Sequence, residues 1–203
     1  MKYKWLNKDN KIKLIVFFNG WGMDESVVSR LDAEDYDILM FYDYNTLKTD
    51  FDFELIKKYF ETNLIAWSMG VMTATLFDIK YNKKVAINGT LKPIDDNFGI
   101  PEKIYSMTLN GLTPEGIKKF IANMYLKSDI LPKVKRSFEE QKSELAALRN
   151  YESNYNFKYD KVILSCYDKI IPVKNQAAFW KIEPNIKAGH APFNLFTKWS
   201  ELL

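Results

Sequence analysis

The chain is poor in the residues that build metal centres and cross-linked frameworks: among 203 residues there is one cysteine, Cys166, and one histidine, His190. A single thiol allows no disulfide framework and no Cys-based metal site, so neither metal nor cofactor is expected. Cys166 ends the apolar run Val162-Ile163-Leu164-Ser165-Cys166, where a small buried hydrophobe is the expected role rather than a reactive thiol. Long hydrophobic runs are missing too. Leu14 to Phe18 is far too short to span a bilayer, and no small-residue cleavage pattern follows it. The expectation is a cytoplasmic protein with no membrane partner. A formal charge of +3 is too small to indicate a nucleic-acid partner, and no RNA-binding signature accompanies the aromatics. No internal repeat or low-complexity linker divides the chain.

What is present is an ordinary globular balance, 47% apolar and 27% charged, which argues against disorder. At this length one domain over residues 1–203 is expected, and a monomer. Strand-like runs at Lys11–Phe18, Ile38–Tyr42, Asn63–Trp67 and Lys84–Ile87 alternate with a short helix to about Leu31, capped by Asp24 or Ser26, and with helical spacing at Asp52–Phe60 and Val71–Phe77. That alternation predicts an α/β fold, a mainly parallel sheet with helices on both faces. From about Leu91 to Asn156 no strand is evident. Four prolines punctuate helical pieces there, including Gly116–Leu126 behind a Thr113 cap and Ser137–Tyr151. Residues 91–156 are therefore expected to form a helical lid inserted between two strands. The sheet pattern resumes at Tyr159–Cys166, followed by a helix at Val173–Trp180, a weak strand near Ile186 and a closing helix.

Within this layout Ala66-Trp67-Ser68-Met69-Gly70 joins an apolar strand to a helix. Small-x-Ser-x-small at such a junction is the nucleophile elbow, a turn so tight that side chains at the flanking positions collide with neighbouring backbone. A serine hydroxyl needs a base within hydrogen-bond reach and a third group to orient that base. His190 lies in a Gly/Pro-bounded loop after the last expected strand, where an α/β-hydrolase carries its base. Asp168, in Tyr167-Asp168 at the end of the preceding strand, completes the order Ser, Asp, His. Asp95 and Asp96, beyond the strand ending near Asn88, remain alternatives for the acid; Asp160 precedes its strand and faces the wrong end of the sheet. An oxyanion hole needs two backbone N–H groups. Met69, after the serine, offers one. The loop Asn19-Gly20-Trp21-Gly22 after the first strand run offers Trp21 for the other, with its ring as pocket wall.

Phe18-Asn19-Gly20-Trp21-Gly22-Met23-Asp24, Ala66-Trp67-Ser68-Met69-Gly70-Val71 and Ile87-Asn88-Gly89-Thr90 with Pro93-Ile94-Asp95 and Gly99-Ile100-Pro101 resemble the small α/β-hydrolases of the BioG type. These are pimeloyl-acyl carrier protein methyl ester esterases of biotin synthesis. The Trp-Ser-Met-Gly elbow and His190-Ala191-Pro192-Phe193 also resemble the larger BioH-type esterases of the same step. Two departures are Asn19, where the larger enzymes carry histidine, and Ala66 in place of the first elbow glycine. Most of the chain is covered, the insert least.

The resemblance implies a Ser68–His190–Asp168 triad, with oxyanion donors from Trp21 and Met69. It also implies a carrier protein partner bearing a pimeloyl methyl ester. Carrier proteins are acidic, so a basic lid would steer and hold one. Between residues 118 and 136 stand Lys118, Lys119, Lys127, Lys133, Lys135 and Arg136 against one acid, Asp129. Lys118, Lys119, Lys133, Lys135 and Arg136 become candidate carrier contacts. Phe98, Ile100, Phe120, Met124, Tyr125 and Leu126 become candidates to line an acyl tunnel. Two other readings fit the same residues: a small-ester carboxylesterase or thioesterase without carrier specificity, and a non-catalytic carrier-binding scaffold.

Overall fold

Phe17 and Phe18 are neighbours in one strand, yet both are fully buried. Successive strand side chains point to opposite faces, so this sheet is covered on both sides. The computed structural model describes residues 1–203. Its strands are β1 (Lys2–Asn7), β2 (Lys13–Phe18), β3 (Tyr36–Tyr42), β4 (Glu61–Trp67), β5 (Lys83–Ile87) and β6 (Lys161–Ile163). They form one sheet in the order β1-β3-β2-β4-β5-β6. Only β1, paired with β3, runs antiparallel; the remaining pairings are parallel.

The period of two divides the core into two clusters. Leu14, Val16 and Phe18 pack on one face with Leu39, Phe41 and Leu64. Ile15 and Phe17 pack on the other with Ile38, Met40, Ile65 and Trp67. Each fully buried side chain of this size contributes about 1.5–3 kcal/mol. The chain leaves β2 towards β3 in one direction and leaves β4 towards β5 in the other. The crevice at the carboxyl ends of β2 and β4 is therefore the switch point where such sheets bind ligands.

The helices are α1 (Met69–Thr73), α2 (Glu102–Asn110), α3 (Pro114–Asn123), α4 (Phe138–Leu148) and α5 (Val173–Trp180). Residues 91–156 contain α2, α3 and α4 and no strand, all between β5 and β6. Local chemistry sets their starts. Thr113 accepts from the Gly116 N–H with Pro114 at the first helical position, and Ser137 forms a reciprocal capping box with Glu140.

Several expected elements are shorter than the patterns suggest. Asp52–Phe60 forms only a 3-10 turn, Phe53–Lys58. The closing helix is two 3-10 turns, Pro192–Leu195 and Trp199–Leu202. The strand expected at Tyr159–Cys166 ends at Ile163, and the weak strand near Ile186 is a single bridge from Ile186 to Ser165. Cys166 is exposed, which corrects the expectation of a buried thiol. At Cys166 and Tyr167 only the backbone is held, Cys166 N to Ile186 O and Tyr167 N to Ala188 O, and both residues are exposed. The edge strand β1 was not expected. Its alternation Lys2-Tyr3-Lys4-Trp5 places Tyr3 and Trp5 against Phe51, at ring distances of 4.9 and 6.3 Å. No helix is long and apolar enough to cross a membrane.

Candidate active site

β4 and α1 meet at Ser68, whose backbone stands at φ 57°, ψ −123°. A non-glycine residue in such a conformation costs about 1–3 kcal/mol and persists only where its surroundings hold it. Here the Ser68 N–H is anchored to Ile87 O at 2.9 Å on the neighbouring strand. The flanking positions explain the small residues. A Cβ at Gly70 would lie 2.2 Å from the carbonyl oxygen of Phe18, and one at Gly89 would lie 2.4 Å from that of Ser68. Ala66 is fully buried within the strand.

The turn brings three distant side chains into one line. His190 Nε2 is 2.8 Å from Ser68 Oγ, and His190 Nδ1 is 2.7 Å from Asp168 Oδ2. All three are nearly enclosed, with residue exposures of 7% for Ser68, 1% for His190 and 7% for Asp168. Asp168 Oδ1 accepts from the N–H groups of Ile170 and Ile171 at 2.8 and 3.0 Å, so the carboxylate is fixed by its own turn. Asp95 and Asp96 are occupied elsewhere. Asp95 accepts from Asn97 and Phe98 N–H, and Asp96 from Glu102 N–H.

Residues that sequence reasoning missed hold this line in place. Asn88 Nδ2 donates to His190 O at 2.8 Å and to Ser165 Oγ at 2.7 Å, while its Oδ1 accepts from Ser165 N–H. It thus ties the histidine loop to the segment that carries the aspartate. Trp67 Nε1 donates to the same His190 carbonyl at 2.9 Å. Gln176, on α5, donates to Asp168 Oδ2 at 2.9 Å and to Ile171 O. Asn88 follows a strand and Gln176 sits in a helix, so neither carries a local sequence signal.

A cavity of about 160 Å³ opens beside Ser68, lined on one side by Gly20, Trp21, Ser68, Met69 and His190. Its walls are mostly apolar, with Ile100, Ile104, Phe120, Met124, Leu145 and Ile170, and Thr108 and Asn123 add polar side chains. Lys169 is the one side chain in its lining with a permanent charge. The Trp21 indole packs edge-on against Phe120 with ring centres 4.8 Å apart. The Trp21 N–H makes no hydrogen bond within the chain. Met69 begins α1, where helical N–H groups have no intrahelical partner. Both donors expected for an oxyanion hole therefore adjoin the cavity.

Two sets of expected contacts need correction. Phe98 does not line the cavity; it packs on Phe179 at 5.9 Å with Lys92 over its ring. Tyr125 and Leu126 lie outside the lining as well, Tyr125 in the core beneath the sheet. Among the basic residues, Lys118, Lys119, Lys127, Lys133 and Lys135 are exposed. Arg136 is not available to a partner: its side chain is 4% exposed, hydrogen-bonded to the buried Glu144 and 3.0 Å from Asp43. Burial works to lower the Arg136 guanidinium, and the charges of Glu144 and Asp43 outweigh it, so its proton is held more tightly than usual. No group of histidine, cysteine and carboxylate side chains could hold a metal ion.

A parallel-sheet fold with a serine elbow, an aspartate and a histidine at the carboxyl edge defines an α/β-hydrolase. A thermophilic esterase from Thermogutta terrifontis superposes with a TM-score of 0.61 at 10% identity, covering 94% of this chain and 86% of that one. Residues 1–202 match the pimeloyl-ACP methyl esterase BioG family, and the chain belongs to that family. That family is named for a methyl esterase acting on pimeloyl-ACP. The crystal structure of BioG from Haemophilus influenzae matches with a TM-score of 0.88 at 34% identity, covering 100% of this chain and 99% of that one. A Bacteroides fragilis protein named malonyl-[acyl-carrier protein] O-methyltransferase is 36% identical over 181 residues, covering 82% of this chain. This chain spans about a third (36%) of that protein's length.

Proposed function

We propose that the chain hydrolyses the methyl ester of pimeloyl-acyl carrier protein, releasing methanol and leaving the acyl chain on its carrier. The observation that carries this reading is the hydrogen-bonded line Ser68–His190–Asp168 beside a mostly apolar cavity that Ser68 and His190 help to line. Ser68 Oγ attacks the ester carbonyl while its proton passes to His190 Nε2, and Asp168 stabilises the imidazolium and fixes its orientation. The N–H groups of Trp21 and Met69 receive the oxyanion. Collapse of the tetrahedral intermediate expels the methoxy group, which takes the proton from His190 and leaves as methanol. A water, deprotonated by His190, then attacks the acyl-enzyme. Ser68 regains its proton and the free ω-carboxylate departs.

The substrate class rests on family membership and on one relative. In the Bacteroides protein a segment similar to this chain shares a polypeptide with an activity named for methylating a carrier-bound acid. A methyl ester placed on a carrier-linked chain is what this site would remove. The mostly apolar walls suit a methylene chain, and the thioester end would project towards solvent. An acidic carrier protein would then rest against the exposed Lys118, Lys119, Lys133 and Lys135.

The test is incubation with pimeloyl-carrier methyl ester, following methanol and the carrier-bound acyl chain separately. Methanol release with the thioester intact, absent in Ser68→Ala, is expected. Loss of the whole acyl chain from the carrier would mark a thioesterase instead.

A further inference from the structure

Helix α4 belongs to the insert, yet one turn of it grips the loop after β2 at Gly22 and at the Trp21 indole. Glu144 Oε2 accepts the Gly22 N–H at 3.1 Å, and Gln141 Nε2 donates to Gly22 O at 2.8 Å. The Trp21 indole N–H donates to the Gln141 carbonyl at 2.7 Å. Residues three apart share a helix face, so Gln141 and Glu144 present these groups together. Gly22 has φ +73°, and a Cβ there would come within 3.3 Å of Gln141 Nε2, so this grip requires glycine. From the opposite side, Asn19 Oδ1 accepts the Gly20 N–H at 2.9 Å. The peptide between Gly20 and Trp21 is thus fixed at both ends, and its N–H is the one left without a partner.

Glu144 does more than touch one loop. Its Oε1 accepts the Tyr44 N–H at 3.0 Å, and the Tyr44 hydroxyl donates to Asn19 O at 2.8 Å. The carboxylate therefore joins the loops after β2 and β3. It is completely buried. Burial pushes the Glu144 carboxyl up, but both oxygens face only donors: Gly22 N–H, Tyr44 N–H and the Arg136 guanidinium. That environment accommodates a carboxylate and has no acceptor for a carboxylic acid proton. A buried ion pair is poor value for stability alone, since packed apolar side chains of similar size often do as well. Its geometry supplies what apolar packing could not, namely a defined orientation for backbone amides.

We propose that Glu144, assisted by Gln141, is a positioning residue that aims the Trp21 N–H at the developing oxyanion. The inference rests on the reading of Ser68 as nucleophile. It also gives the insert a part in the chemistry beyond covering the cavity: its last helix, α4, would complete the oxyanion hole.

The experiment compares full-length wild type, Ser68→Ala, Glu144→Gln and Gln141→Met on p-nitrophenyl butyrate and with a trifluoromethyl ketone that mimics the tetrahedral adduct. Loss of one oxyanion donor costs about 10²–10³ in kcat, and a misaimed donor should cost part of that. Glu144→Gln is expected to lower kcat at least about tenfold with KM within about twofold, and to weaken the ketone by a matching factor. Gln141→Met, which keeps the backbone carbonyl for Trp21, should show the same split in smaller measure and serves if Glu144→Gln does not fold. A folded Glu144→Gln with unchanged kcat and ketone affinity, or with lowered kcat and unchanged ketone affinity, would overturn the proposal. Absence of Ser68-dependent hydrolysis in the wild type would instead remove the reading on which it rests.

Discussion

His190 Nε2 stands 2.8 Å from Ser68 Oγ although the two residues lie 122 positions apart in the chain. The contact is set from the backbone outward. The elbow fixes Ser68, and Asn88 and Trp67 converge on the carbonyl of His190. Asp168 then selects the imidazole orientation.

Replacing Asp168 by asparagine should leave the packing intact and present an amide where the imidazole N–H needs an acceptor. By analogy with other triads, kcat should fall by about 10⁴-fold. Asp95→Asn, by contrast, should leave kcat within about twofold, because Asp95 serves its own turn and a half-exposed pairing with Lys92. Steady-state kinetics on one ester substrate checks both.

Arg136 and Lys133 are three residues apart and should behave oppositely. Removing the Arg136 guanidinium leaves Glu144 buried without its cation, and Arg136→Ala should lose about 3–5 kcal/mol of stability. Lys133→Ala, at an exposed position, should change stability by no more than about 0.5 kcal/mol. Denaturant unfolding midpoints, with slopes compared, distinguish the two.

Changing Lys118, Lys119, Lys133 and Lys135 together to glutamine should slow hydrolysis of the carrier-linked ester and hardly affect a short free ester. The loss should resemble that produced in the wild type by raising salt, since exposed charges farther apart than about 8 Å are screened at physiological ionic strength. Parallel kcat/KM measurements on both esters at two salt concentrations check this. An equal loss on both would point to a carboxylesterase without carrier specificity.

Phe120 lines the cavity and Phe98 does not. Phe120→Ala should therefore shift the preferred acyl length towards longer or bulkier esters, while Phe98→Ala should leave that preference where it was. A series of ester chain lengths, compared by kcat/KM, is the measurement.

The sheet was legible because both faces are buried: β2, β3 and β4 read as short continuous apolar runs between turn residues, and their order with the helices fixed the class. The elbow was legible because its geometry excludes large side chains at Ala66 and Gly70. What escaped depends on side-chain partners remote in sequence. Arg136 belongs to a cluster of lysines by composition, yet Glu144 and Asp43 draw it inward. Phe98 lies next to Gly99 and Ile100, but the turn at Asp95 directs it to Phe179 instead of the cavity. Cys166 continues an apolar run, but the sheet ends three residues earlier at Ile163, and no neighbouring strand covers it. Glu144 and Gln141 fall in the expected helix Ser137–Tyr151 as two polar residues among many. Only their contacts with Gly22 show that they point into the protein.

The most direct measurement is intact-mass and peptide analysis after exposure to a fluorophosphonate, which bonds covalently to an activated serine. The account predicts one adduct per chain, located on Ser68, absent in Ser68→Ala and strongly slowed in folded His190→Ala. A folded wild type that takes up no adduct, or takes it up at another residue with Ser68 unmodified, would contradict it.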